Sequence, residues 1–147
     1  FMHPIEPPPE IARLAKLGFF PGSTIGNMVP RTAVNLLRAM VETLGIGAML
    51  LIGIDRIKDV DTLVRAYDDA AGVTAAFNLN LLERINRELD ADLPVSAFRH
   101  RAVWNDAFAR IEMHLEAVRD IAFSLDGEAL TMAAGEAIHT ETSHKSG

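Results

Sequence analysis

Two short apolar runs with one amphipathic helix between them constrain the fold of this chain more than any other feature. The first run, residues 17–20, leads into Pro21 and Gly22, and the second, residues 48–54, ends at Asp55. Continuous apolar runs of this length are typical of buried parallel strands. The order strand, loop, helix, strand therefore predicts a β-α-β unit with parallel strands and a right-handed crossover.

The helix of this unit is predicted to begin at Pro30 and end at Gly45, because proline is favoured at the first helical position and glycine just past the last. Its apolar residues recur at spacings of three and four and are predicted to face the sheet. They are Val34, Leu37, Met40, Val41 and Leu44. A shorter helix is predicted over residues 10–16.

Two further helices are predicted after Asp59, which is a suitable N-cap. The first runs over residues 60–71. Gly72 then interrupts the pattern, and Thr74 is the predicted cap of the second. The second helix is predicted to bury the apolar face formed by Phe77, Leu81, Leu82, Ile85 and Leu89.

The period of the apolar pattern then changes from 3.6 to 2. Residues 109–117 alternate between apolar and polar, which predicts a half-buried antiparallel strand paired with residues 98–104 through a turn near Asn105. Residues 121–125 and 130–132 flank Asp126-Gly127, a strong hairpin signal. The chain from residue 136 onward is polar without a clear period.

These elements divide the chain into two predicted parts. Residues 1–57 form an α/β part and residues 58–147 an α+β part with an antiparallel sheet. Two strands alone do not form a stable doubly wound sheet, so the first part is expected to be incomplete by itself, and its exposed sheet edges favour association into homo-oligomers.

Composition excludes several functions. The net charge of −6 over 147 residues argues against nucleic-acid binding, which needs a basic face. The longest apolar run is too short to span a bilayer, and the first residues do not form a signal peptide, so no membrane partner is expected. The absence of cysteine excludes disulfides and thiolate chemistry and fits a cytoplasmic protein.

The loop of residues 21–27 is the strongest candidate site. It follows a predicted strand and precedes a helix, the position at which open α/β sheets bind ligands. Gly22 and Gly26 allow close approach to the backbone, while Ser23, Thr24 and Asn27 carry short polar side chains. It matches neither the P-loop nor the dinucleotide-binding glycine motif. From spacing alone, a ligand site and a plain turn stay equal alternatives.

Two other candidates have ordinary structural explanations. Tyr67 is the only tyrosine and lies on the apolar stripe of its helix, as a core aromatic would. Met113 alternates with Ile111 and Leu115, which indicates sheet core.

The polar tail contains two histidines and a glutamate. If it were a strand, His139, Glu141 and Ser143 would share one face and His144 would point away. Two converging ligand-type side chains fall short of the three that a catalytic zinc usually takes from protein, so no metal site is expected. A Glu beside a Ser suits hydrogen bonding to a nitrogen heterocycle instead; the alternative is a solvated terminus. No catalytic triad or paired carboxylates can be assigned.

Five segments, taken in order, resemble one family closely. They are residues 20–27, 66–78, 98–102, 110–115 and 135–145. The family is that of the S-adenosylmethionine-dependent histidine Nα-methyltransferases of ergothioneine biosynthesis. The resemblance covers nearly the whole chain, and it implies a partial Rossmann-like methyltransferase sheet joined to an α+β substrate domain, with histidine held in the cleft between them.

The resemblance also implies roles for particular residues. Asn27 would hold the amino-acid end of the substrate, and Tyr67 its α-carboxylate. Glu141 and Ser143 would read the imidazole, and Met113 would form part of that pocket's wall. Gly22 and Thr24 would lie near the methyl acceptor. On the cofactor side, the corresponding residues are Phe1, Phe20 and Gly22.

The family's cofactor-binding glycine loop and ribose-binding acidic residue lie upstream of Phe1, and its closing strands follow the tail. We therefore expect a piece of an enzyme that makes trimethylhistidine (hercynine) from histidine or its methylated forms, and no turnover by these 147 residues alone. A hypothesis from another class is a non-catalytic module that binds a histidine-like ligand or a partner subunit.

Overall fold

The computed structural model describes residues 5–147, which form two compact units. The first contains the chain up to Arg56 together with Ser143–Gly147, and the second contains Ile57–Thr142. The sequence placed one boundary between residues 57 and 58, whereas the structure returns the last five residues to the first unit. The first unit is therefore built from two separate stretches of chain.

The first unit contains the predicted β-α-β unit. Strand β1 (Leu17–Phe20) and strand β2 (Met49–Ile52) pair in parallel, and helix α1 (Pro30–Leu44) connects them. Pro30 begins the helix and Gly45 caps it at φ +87°, as predicted. The helix predicted over residues 10–16 is wrong: hydrogen bonds there join residues three apart, as in successive turns.

The predicted apolar stripe of α1 is only partly confirmed. Val34 and Val41 are 45% and 62% exposed, whereas Leu36 and Ala39 are buried. Leu44 does approach the sheet: a Cβ added to Gly18 would lie 2.7 Å from its Cδ1. Two sets of apolar residues recur at helical spacing along α1. The set that contains Leu36 and the small Ala39 is buried within the first unit. The other set forms an exposed apolar strip.

The second unit contains two helices and most of the strands. Their bounds are α2 (Val60–Tyr67), α3 (Val73–Glu88), β3 (Phe98–Asn105), β4 (Arg110–Ala117), β5 (Ile121–Leu125), β6 (Glu128–Met132) and β7 (Ala137–His144). The strands form a three-stranded sheet in the order β3-β4-β7 and a two-stranded sheet, β5-β6. The last two residues of β7 belong to the first unit.

Both predicted hairpins are confirmed. Strands β3 and β4 pair antiparallel, and β5 and β6 pair antiparallel around Asp126 and Gly127, which have φ of +48° and +79°. The polar tail is a strand because it lies beside β4, where the Thr140 hydroxyl donates to the Met113 carbonyl at 3.0 Å. Strand β4 is buried on both faces rather than on one.

Local hydrogen bonds determine where helices α2 and α3 begin. Asp59 caps α2 as predicted, accepting from the Thr62 amide at 2.9 Å, but α2 ends at Tyr67 rather than residue 71. The N-cap of α3 is Gly72 at φ +71°, not Thr74. Asp69 supplies the missing acceptor: hydrogen bonds from Thr74 lower its pKa to about 2.

The core of the second unit forms where the helices pack on β3 and β4. Leu82 and Leu115 centre one cluster, and Leu63 and Ile111 centre another. The predicted face of α3 is wrong in part, because Phe77 is 68% exposed and Asn78 occupies a buried position. No helix within residues 5–147 combines the length and apolar character that crossing a bilayer requires.

Leu82 and Leu81 form a matched pair for testing this packing. Leu82 is fully buried and its neighbour Leu81 is 37% exposed. We expect Leu82→Ala to lower the free energy of unfolding by about 3 kcal/mol, through lost burial and the cavity left behind, and Leu81→Ala by less than about 1 kcal/mol. Urea unfolding followed by circular dichroism measures both. Equal losses would contradict the placement of α3.

Candidate functional site

The polar loop of the first unit follows β1 at its carboxyl end. Gly22 and Ser23 both have positive φ, +77° and +57°, and a short 3-10 turn (Thr24–Asn27) follows. A Cβ on Gly53 would lie 3.1 Å from the Gly22 nitrogen, so the chain leaving β2 passes close against this loop. The carboxyl ends of parallel strands are where open α/β sheets bind ligands.

Hydrogen bonds from two other segments of the chain hold this loop. The Asp55 amide, just beyond β2, donates to the Ser23 hydroxyl at 2.8 Å. The Nδ1 of His144 lies 2.9 Å from the Gly26 carbonyl, and since a carbonyl only accepts, this nitrogen carries the proton. A Cβ on Gly26 would lie 2.7 Å from the His144 carbonyl oxygen, so only glycine fits.

The predicted site residues of the first unit lie in and around this loop. Gly22, Thr24 and Asn27 are exposed, and Phe20 is half-buried at the end of β1. Ser143 is buried, and its hydroxyl accepts a hydrogen bond from the Lys145 ammonium at 2.8 Å. The remaining prediction, Phe1, lies outside the described residues.

In the second unit, Tyr67 ends α2 and packs half-buried against the cluster of Leu63 and Ile111. Its carbonyl accepts from His100 Nε2 at 2.7 Å, and His100 Nδ1 lies 3.0 Å from the Asn78 amide nitrogen. A neutral imidazole with its proton on Nε2 satisfies both contacts. The end of the helix that carries Tyr67 is thereby held by the half-buried His100 and the buried Asn78.

The other two predicted residues of this unit lie on neighbouring strands. Met113 is buried in β4, and its carbonyl accepts from Thr140. Glu141 is half-buried in β7 and, with Thr140, borders a cavity of about 180 Å³. The other residues that line this cavity come from α3 and are mostly polar: Phe77, Asn78, Asn80, Leu81 and Arg84.

A cluster that the sequence argument missed lies on β4 and β7. Ligand-type atoms of Glu112, His114 and His139 all lie within 4.8 Å of one another. The tail alone offers too few ligand-type side chains for a metal, whereas the alternation along β4 adds Glu112 and His114. The imidazoles of His114 and His139 stack with centroids 4.8 Å apart, and His114 Nε2 lies 3.1 Å from the Glu112 carboxylate.

Hydrogen bonds connect the members of this cluster to their neighbours. The Glu112 carboxylate accepts from Arg110 Nε at 2.7 Å and from the Asn105 amide at 2.8 Å, so a guanidinium already provides its counter-charge. The Nε2 of His139 lies 3.0 Å from the Glu141 carbonyl and 2.9 Å from the Thr142 hydroxyl. The network runs from Arg110 to the backbone that carries Glu141.

The same network sets the charge of Glu112. Burial raises the pKa of this carboxyl, but hydrogen bonds from Arg110, Asn105 and His114 outweigh that effect and lower it to about 2. In the same strand, hydrogen bonds from Arg99 and Arg101 lower the pKa of Glu116, against the opposing effect of burial. Both carboxylates are therefore charged and paired at neutral pH.

Sequence reasoning also missed two residues of the first unit, Asp55 and Lys145, and gave Ser23 no role beyond that of a polar side chain in the loop. Ser23 and Asp55 follow the ends of β1 and β2, so their position at the strand ends was a usable signal. Lys145 lies two residues after Ser143, which in an extended chain puts both on one side. Together, the loop and residues 143–146 form a polar part of the first unit.

The low pKa of Glu112 predicts a specific acid sensitivity. A carboxylate with a lowered pKa in the folded state stabilises the fold above its ordinary pKa near 4.5, and this contribution is lost as the pH falls from there towards 2. We expect Glu112→Gln to remove about 1–2 kcal/mol of unfolding free energy at pH 7 and much less at pH 2.5. Urea unfolding at both pH values measures this difference.

Glu83→Gln is the matched control, since Glu83 is exposed on α3. A loss in Glu112→Gln that is the same at both pH values would show that the charge of this carboxylate does not support the fold.

Comparison with known proteins adds independent information. The family model described as "Histidine-specific methyltransferase, SAM-dependent" matches residues 1–146. A histidine N-alpha-methyltransferase from Mycolicibacterium smegmatis is 49% identical over 142 residues, which is 93% of this chain and 43% of that protein. One from Mycobacterium tuberculosis is 48% identical over 135 residues, 88% of this chain and 41% of that protein.

A more distant relative is ergothioneine biosynthesis protein 1 of Neurospora crassa, 37% identical over 65 residues, 44% of this chain and 7% of that protein. The chain thus spans about two fifths of the length of the two bacterial relatives. Because the family match extends over essentially the whole chain, this protein belongs to the SAM-dependent, histidine-specific methyltransferase family.

Proposed function

We propose that this chain is the part of a SAM-dependent N-methyltransferase that binds histidine, or a methylated form of it, for methylation of the α-amine to trimethylhistidine. The observation that carries the proposal is the family match over residues 1–146, with 49% identity to a histidine N-alpha-methyltransferase. The polar loop at the strand ends supports it, since this is where such a sheet holds its ligands.

The described residues fit one edge of a site for S-adenosylmethionine. Gly22 has a positive φ, and a Cβ there would meet only the Thr24 hydroxyl, at 3.6 Å, so a ligand has access to the backbone. Phe20, half-buried at the end of β1, offers an apolar surface beside it. When bound, S-adenosylmethionine supplies the sulfonium methyl group. In this proposal Phe20 and Gly22 contact it.

The residues of this chain are proposed to act by orienting the substrate amine. An amine is methylated through its lone pair, so the protein has to hold an uncharged amine in one direction, and positioning of this kind supplies much of the rate. In the first unit, the Asn27 amide is proposed to hold the amino-acid end of the substrate without adding a charge, and Gly22 and Thr24 to lie near the acceptor nitrogen. In the second unit, the Tyr67 phenol is proposed to hold the α-carboxylate.

Selectivity for imidazole is proposed to come from β7 and β4. Glu141 accepts a hydrogen bond from a ring N–H, Ser143 contacts the ring, and Met113 contributes apolar surface. A ring without nitrogen would leave the Glu141 carboxylate without its ligand partner, which is the kind of mismatch that gives strong discrimination.

A second candidate function is a non-catalytic binding module. It is favoured by the apolar residues that one side of the β1-β2 sheet exposes: Leu17, Phe19, Met49 and Leu51, with Phe19 68% exposed. Such a surface is typical of a protein interface. Methyl transfer from radiolabelled S-adenosylmethionine to histidine by protein that contains this chain separates the two candidates.

Glu141 gives the sharpest test of the proposed substrate. We expect the 147-residue chain to bind L-histidine in isothermal titration calorimetry and not L-leucine, and Glu141→Gln to lower the histidine affinity about tenfold, because a hydrogen bond to a charged acceptor is lost. Glu83→Gln, at an exposed position of α3, is the control and should leave the affinity unchanged. Equal binding of histidine and leucine, or an unchanged affinity in Glu141→Gln, would overturn the proposal.

A further inference from the structure

Glu112, His114 and His139 form a cluster that the proposed chemistry does not use. Glu112 and His114 lie on β4 and His139 lies on β7, and ligand-type atoms of all three lie within 4.8 Å of one another. Two imidazoles and one carboxylate form a common set of protein ligands for zinc. Two strands of the second unit therefore bring a metal-binding set of donors together.

The two oxygens of the Glu112 carboxylate have different partners. Oε1 accepts from Arg110 Nε at 2.7 Å and from the Asn105 amide at 2.8 Å. Oε2 faces His114, whose Nε2 lies 3.1 Å away. Outer hydrogen bonds of this kind orient the carboxylates that bind metals in proteins. Oε1 thus fixes the side chain, and Oε2 is the oxygen directed at the imidazole.

The separation of Glu112 Oε2 and His114 Nε2 matches what a zinc ion requires. Bonds of about 2.0–2.2 Å to zinc in a tetrahedron place two ligand atoms about 3.3 Å apart. The observed distance between Oε2 and Nε2 is 3.1 Å. An ion that replaces the proton of this hydrogen bond therefore leaves both atoms close to their present positions.

His139 supplies the third donor from the neighbouring strand. Its imidazole stacks on that of His114, so the two rings enter the cluster side by side. Its Nε2 lies 3.0 Å from the Glu141 carbonyl, which only accepts, so Nε2 carries the proton and Nδ1 the lone pair. Metal-binding histidines commonly donate their other ring N–H to a carbonyl in this way. Because the side chain is exposed, it can turn to bring its donor atom about 1.5 Å closer to the other two.

We propose that Glu112 Oε2, His114 and His139 bind a divalent metal ion with the ligand preferences of zinc, with water in the fourth position. The ion joins β4 to β7 and so stabilises the three-stranded sheet. Because Arg110 already offsets part of the Glu112 charge, the affinity is expected to be micromolar rather than nanomolar. The inference is independent of the proposed function, since none of these side chains is a proposed substrate contact.

Zinc chloride is the probe, titrated by calorimetry into the 147-residue chain without a histidine tag. We expect one ion per chain and a rise in the thermal unfolding temperature on adding zinc, because only the folded chain holds the three donors together. Magnesium chloride should give no binding, since Mg²⁺ prefers oxygen ligands and retains its water. Cobalt(II) in place of zinc should give the visible absorption of a tetrahedral site.

His139→Gln and His114→Gln identify the ligands. Each is expected to weaken zinc binding by about 100-fold or more, because loss of an outer partner of a ligand alone costs about 10–100-fold. His139 is exposed, so its substitution should leave the fold intact. If circular dichroism shows that His114→Gln does not fold, His139→Gln decides the test by itself.

His144→Asn is the matched control, since His144 is a histidine of the first unit whose Nδ1 contacts the Gly26 carbonyl. It should change the zinc affinity by less than about twofold, because it removes no ligand of the cluster.

The outcomes decide the inference without reference to histidine binding. Failure of the unsubstituted chain to bind zinc, a loss of less than about tenfold in His139→Gln, or an equal loss in His144→Asn would overturn it while leaving the proposed function as it stands. Zinc binding that is lost in the cluster variants and kept in His144→Asn supports it.

Discussion

The first unit depends on the burial of one ammonium group. The Lys145–Asp55 pair joins the end of the chain to the residue that follows β2, and Asp55 in turn holds the loop that follows β1. Removing one member of a buried pair leaves an uncompensated charge and is far more costly than losing an exposed ion pair. The Asp55 amide hydrogen-bonds the hydroxyl of Ser23, which together with Gly22 has a positive φ.

In the second unit, charged groups pair within the sheet. Its helices cover an apolar side of β3 and β4, while Glu112 and Glu116 are buried among arginines contributed by the same two strands. The stacked imidazoles of His114 and His139 carry this network across to β7. Interactions of this kind specify register, because a shift of β7 by one residue would turn His139 away from His114.

Local patterns in the sequence predicted the elements well and their faces less well. The β-α-β unit, both hairpins and the Asp59 cap follow from short-range chemistry, since proline, glycine and Asp-Gly act within a few residues. The buried face of α1 does not follow from short-range chemistry, because the helix carries two sets of apolar residues. Only tertiary packing around Ala39 decides which set is buried. The tail was recognised as polar but not as a strand, since its pairing partner lies far away in the chain.

The candidate site shows the same division. Gly22, Asn27 and Ser143 were predicted through a family resemblance, whereas the contacts of Asp55 and Lys145 are visible only in the structure, where distant segments meet. A residue that acts through another residue leaves little trace in a local pattern. Its role depends on which charge it pairs with, and that is a property of the tertiary structure.

The contact between Gly26 and His144 has a consequence for the order of folding. These residues are 118 positions apart, with the whole second unit between them. Loop-closure entropy opposes such a contact until the intervening chain is compact. During synthesis the second unit can therefore become compact before residues 143–147 reach the first unit, and the polar loop acquires its contact with His144 only when residues 143–147 return to it.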